Sequence, residues 1–185
     1  MEMKKVSLLL LLMSSICPVA LCQGGTSALK DLSSRLGDDG RHGVLIALLR
    51  TAEKQDSSVA DLFGGGPHTV LAPSDEAFAR LPQGMLEKLR SNKLMLREFL
   101  LSHIIIGKVM IAEMLVSVKG SPGKTLVALR TLNGDVVSVL SNAQTGEHHP
   151  MVNGKARIGN SDIPFSGGII HEIDAALISH QGWEA

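Results

Sequence analysis

Along the first hundred residues apolar positions recur at helical spacing; beyond His103 they come in short runs cut by turn residues. Ser27–Leu36 and Gly43–Lys54 read as helices. In the second, Val44, Leu45, Leu48 and Leu49 form an apolar stripe, with Arg50, Glu53 and Lys54 off it. Asp38-Asp39-Gly40 separates the two. Val59–Phe63 adds a short turn, closed by Gly64-Gly65-Gly66-Pro67. Thr69–Ala72 reads as a short buried strand that Pro73 ends. Ser74 is a good helix N-cap, and Asp75 and Glu76 fall in the first turn, where the backbone dipole favours acids. Ala77, Phe78 and Leu81 lie on the apolar side of that helix. Pro82 suits the first turn of the next, with Met85, Leu86 and Leu89 inward. Leu94–Ser102 follows, with Leu96, Phe99 and Leu100 inward.

Ile104-Ile105-Ile106 is β-branched and reads as a strand. Leu126–Leu132 and Val136–Leu140 flank Asn133-Gly134-Asp135, a hairpin signal, and Asn153-Gly154 marks another turn before Lys155–Ile158. Ile169–Ile173 is a last strand. Helices first and strands second imply an α+β fold rather than alternating βαβ units. No internal repeat or low-complexity linker divides the chain, and one domain over residues 23–185 is expected.

The N-terminus stands apart. Lys4 and Lys5 precede an apolar run from Val6 to Ile16 that includes Leu8–Leu12, and Pro18 interrupts any helix. Ala20 and Cys22 lie three and one positions before a cut at Gln23. Residues 1–22 therefore read as a cleavable signal peptide, and the chain as secreted, to an extracellular or periplasmic space. The run is shorter than the roughly 20 apolar residues that a membrane span needs. Removing it leaves 163 of 185 residues, enough for a self-sufficient core. Cys17 and Cys22 both go with it, so the remainder has no thiol, disulfide or thiolate metal ligand.

Charge narrows the function. Taking away Lys4, Lys5 and Glu2 leaves 16 basic and 17 acidic residues, with no basic excess to meet phosphates. Only Phe63, Phe78, Phe99, Phe165 and Trp183 could stack on bases, and nucleic-acid binding is not expected. No Asn-x-Ser/Thr sequon occurs.

Catalytic motifs are incomplete. Gly120-Ser121-Pro122-Gly123-Lys124-Thr125 ends like a phosphate-binding loop, but Val118 stands where the first glycine belongs. His148-His149 stands beside Glu147, but adjacent side chains point apart on a strand and no cysteine nearby completes a metal set. There is no Gly-x-Ser-x-Gly elbow. His103 and His171 sit among apolar neighbours, where a hydrogen-bonded structural role fits better than a catalytic one. No enzyme, metal or cofactor is expected. Met85, Met95, Met110 and Met114 leave room for a second reading, a carrier whose adaptable pocket takes a small apolar ligand.

Three segments together resemble the fasciclin family of extracellular domains. They are Thr69–Phe78, Leu100–Val109 and Gly167–Leu177, in order across about 110 residues. The residues that carry the likeness are Thr69, Pro73, Asp75, Phe78, His103, Gly168, His171 and Asp174. The resemblance implies a wedge of short strands with packed helices, and an Asp75–His103 pair inside the domain. It also implies non-catalytic adhesion to an extracellular protein, a cell surface or a polysaccharide. In animal members integrin binding is tied to a Tyr-His segment and an Asp-Ile pair. These match here as Ser102-His103, without the tyrosine, and Asp162-Ile163. The stretch from Ser141 to Pro150 reads as an extended loop in which the chain differs from its relatives.

Overall fold

A computed structural model describes residues 24–63, 65–116, 125–141 and 150–178. The expected leader at 1–22, the stretch Gly120–Lys124, Trp183, and the interior of the expected loop between Ser141 and Pro150, with His148 and His149, lie outside the described residues.

The elements run α1 (Gly24–Gly37), α2 (Gly43–Gln55), α3 (Ser58–Leu62), β1 (His68–Pro73), α4 (Asp75–Ala79), α5 (Met85–Ser91) and α6 (Lys93–Ser102). They continue with β2 (Ile104–Ile106), α7 (Ile111–Val116), β3 (Thr125–Arg130), β4 (Val136–Ser141), β5 (Met151–Val152), β6 (Ala156–Arg157), β7 (Ile163–Phe165) and β8 (Gly168–Ile173). Mixed helices and strands in this order make an α+β fold. The helix α7 departs from the strand-like runs expected after His103. Six residues are too few to show a period, and the carboxylate that caps the helix comes from Asp162, far along the chain.

Two four-stranded sheets meet. The first has the order β2-β1-β8-β7, the second β3-β4-β5-β6. At the centre of the first, β1 runs parallel to β8, from His68 opposite Gly168 to Pro73 opposite Ile173. Every residue of β1 is buried. Alternation sorts its side chains: Val70 and Ala72 join the helices, and Leu71 joins the second sheet. The helical core gathers Leu32, Leu48, Leu89, Leu96, Phe99 and Ile170. Between the sheets lie Leu71, Ile105, Val139, Val152, Ile158 and Ile173. Burial of this aliphatic surface, at roughly 25 cal/mol per Å2, is the main force holding the layers.

The second sheet is a meander. β3 and β4 pair from Arg130 opposite Val136 outward, and the turn between them is closed by Thr131 N–H donating to the Asp135 carbonyl at 2.9 Å. Asn153 and Gly154 have φ of 51° and 65°, the pair of positive values that a tight two-residue turn between twisted strands requires. Bridges at Ile105–Thr131 and Ile158–Ile173 stitch the sheets together.

The implied Asp75–His103 pair is not formed. Asp75 Oδ1 and Oδ2 accept from the Val44 and Gly43 N–H groups at 2.8 and 3.1 Å. His42, the residue before α2, makes no side-chain cap, so a carboxylate from α4 satisfies amides that the helix leaves open. His103 is held elsewhere. Its Nδ1–H donates to the Phe99 carbonyl at 2.7 Å, and its Nε2 accepts from Leu177 N–H at 2.9 Å.

Candidate binding surface at the Asp162–Ile163 corner

The four residues singled out for partner contact separate into two places. Ser102 and His103 precede β2, at one edge of the first sheet; Asp162 and Ile163 open β7, at the other. Ser102 is 5% exposed and His103 2%. The Ser102 hydroxyl donates to the Phe99 carbonyl at 2.8 Å, and the His103 ring packs on Phe99 with centroids 4.4 Å apart. Burial holds the His103 pKa down at about 4, against the partial opposition of its bond to Phe99. The ring is neutral, and neither side chain faces solvent.

The second place is built to be rigid. Asp162 has φ of +58°, a left-handed value that aspartate tolerates better than most side chains. Its N–H donates to His171 Nδ1 at 3.1 Å, and His171 Nε2–H donates to the Val109 carbonyl at 2.9 Å. Its carboxylate Oδ1 accepts from Ile111 N–H at 2.9 Å and so caps α7. One buried histidine therefore fixes the Asp162 backbone and the approach to α7 together. Burial lowers the His171 pKa, with the Val109 bond and the Asp162 charge acting the other way. Thr69 supports the same turn: its hydroxyl donates to the Gly107 carbonyl at 2.8 Å and accepts from Val109 N–H at 2.9 Å.

Asp162 and Ile163 are half-buried, and Pro164 and Ser166 are exposed. Pro164 lacks an N–H and belongs on an edge strand such as β7. At the far end of β7 a cleft of about 590 Å3 is lined by Ser27, Phe63, Pro67, Lys108, Phe165 and Gly167. The remaining family-type residues are structural neighbours. Pro73 closes β1, Phe78 stacks at a tilt on Phe99, and Asp174 Oδ1 accepts from Arg157 N–H at 2.7 Å.

The methionines do not converge. Met95 packs in the helical core and Met114 between the sheets. No methionine lines the 590 Å3 cleft or a second one of about 290 Å3. Among the described residues, no helix is long and apolar enough to cross a membrane.

Two short-stranded sheets wedged together under a layer of helices, with a pinned turn at one sheet edge, define an α+β wedge domain. The chain belongs to the fasciclin family, whose Fasciclin domain model matches residues 45–179. It is similar to transforming growth factor-beta-induced protein ig-h3 of Sus scrofa, at 34% identity over 117 residues, 63% of this chain and 15% of that protein. Protein sll1483 of Synechocystis is 30% identical over 139 residues, 72% of this chain and 65% of that protein. The solved FAS1 domain pair from the insect cell adhesion molecule Fasciclin I aligns with a TM-score of 0.51 at 18% identity, over 73% of this chain and 45% of that one, a likeness of fold.

Proposed function

We propose that the protein is an exported, non-catalytic adhesion module that contacts an extracellular protein, a cell surface or a polysaccharide through the β7 corner. The observation that carries this reading is the pinned Asp162 turn: it presents Ile163 and Pro164 on an edge strand without needing to be ordered on binding, which lowers the entropic cost of association. Family membership and the leader-like residues 1–22 support export, and the name of the insect structure supports adhesion. The non-catalytic reading is supported by the histidines, since both ring nitrogens of His103 and of His171 are bonded to backbone atoms. The carrier reading gains no support from the described residues, where Met95 and Met114 lie in separate cores and neither cleft is lined by a methionine.

The test is binding of cells and matrix to the immobilised protein, with Asp162→Asn and Ile163→Ala beside it. Asparagine keeps the cap on α7 and tolerates the left-handed turn while removing the charge. Each variant is expected to weaken saturable binding by about tenfold, roughly 1.4 kcal/mol. Binding that both keep moves the contact away from β7. No saturable binding to any surface sinks adhesion.

A further inference from the structure

The turn between α1 and α2 holds a charged cluster that the β7 corner does not use. Asp39, Arg41 and His42 follow α1, and Glu172 of β8 faces them. Arg41 Nη2 donates to Asp39 Oδ2 at 2.8 Å and to the two Glu172 oxygens at 2.9 and 3.1 Å. Behind this pair His42 is only 1% exposed, yet neither of its ring nitrogens has a hydrogen-bond partner among the described residues. Its Nδ1 points at Asp39 Oδ1 from 3.6 Å. Leaving such a group unsatisfied costs about 1–3 kcal/mol, and native structures rarely tolerate it without a ligand or a role.

One donor atom each from Asp39, His42 and Glu172 fall within 4.8 Å of one another. A tetrahedral zinc ion, with ligands at about 2.0–2.2 Å, sets neighbouring donors roughly 3.4 Å apart, so small side-chain adjustments close the set. We infer that Asp39, His42 and Glu172 form a binding site for a divalent transition cation of the zinc class, with Arg41 as the internal cation that it displaces. The imidazole nitrogen favours those ions over calcium and magnesium, which take oxygen ligands. Two carboxylates and one neutral imidazole balance the charge of the ion. Arg41 has somewhere to go: its side chain is 54% exposed. The cleft of about 290 Å3 lined by Arg41, Ser74, Gly159 and Glu172 gives the ion an approach.

Titration of the full chain with zinc chloride, followed by calorimetry and by thermal melting, tests the site. Saturable one-to-one binding with a raised melting temperature is expected, and calcium should give neither. Asp39→Ala, on an exposed turn and not expected to disturb folding, should lose more than the roughly 10–100-fold that removing an outer-shell partner costs. His42→Ala should do the same, and Arg41→Met should bind more tightly than the parent, an effect no purely structural role for Arg41 produces. A His148→Ala/His149→Ala double variant should bind unchanged. The assignment fails if the full chain binds no zinc saturably, if Asp39→Ala retains the parent affinity, or if only the double histidine variant loses it.

Discussion

At the scale of single residues, the tightest constraint is Gly168. A Cβ there would lie 1.8 Å from the His68 carbonyl oxygen, and φ is +146°, a conformation that L side chains rarely adopt. The close approach arises because β1 and β8 start side by side, with His68 N–H donating to the Gly167 carbonyl at 2.8 Å. Gly168→Ala is expected to destabilise by at least about 3 kcal/mol, seen as a large drop in the urea midpoint. An alanine variant with an unchanged midpoint would show that the two strands can part at this end. Asp162, like Asn153, is a non-glycine residue with a positive φ, and its cost is offset locally by the bonds to His171 and Ile111.

Among the elements, α2 depends on a cap from outside its own sequence. Asp75→Ala removes both bonds to the Gly43 and Val44 amides and is expected to cost about 1–2 kcal/mol at unchanged urea m-value. A loss below a few tenths of a kcal/mol would mean that water replaces the carboxylate. Most elements were legible from periodicity, because a stripe such as Leu45, Leu48 and Leu49 has one physical cause, a buried helix face. The hairpin around Asn133–Asp135 and the turn at Asn153-Gly154 were legible from turn chemistry. What pattern could not show was long-range partnership. Asp75 reads as a first-turn acid of α4, yet it also serves α2. Asp162 gives no local sign that it starts α7. The cluster of Asp39, Arg41, His42 and Glu172 has a signal on one side only, the charged string between α1 and α2; Glu172 sits 130 positions from His42 inside an apolar strand. Ser102 and His103 show the converse, since a family motif marks them while their burial is a property of the packed layers.

For the whole molecule, His103 is a latch that joins the end of α6 to the chain after β8. It also makes stability depend on pH. In the unfolded chain a histidine takes up a proton near pH 6.5, while in the folded state His103 does so only near 4. Above pH 6.5 both states are neutral there and the latch acts in full. As the pH falls from 6.5 towards 4 the unfolded state alone gains the proton, and about 3 kcal/mol of stability is lost. Urea midpoints across that window should fall for the parent chain, and its advantage over His103→Gln should shrink as they do. An advantage that stays constant would mean that His103 titrates alike in both states.

The parallel pairing of β1 with β8 also governs the order of events when the chain first folds. β1 has its antiparallel neighbour β2 within a few dozen residues, but its other edge waits for a strand a hundred positions later. Closing so long a loop is slow, and until it closes an apolar strand with an open edge is exposed to other chains. Commitment to the native state is thereby postponed until β8 has been made. A nascent molecule of this kind stays threadable for longest, and for the same interval it most needs a chaperone.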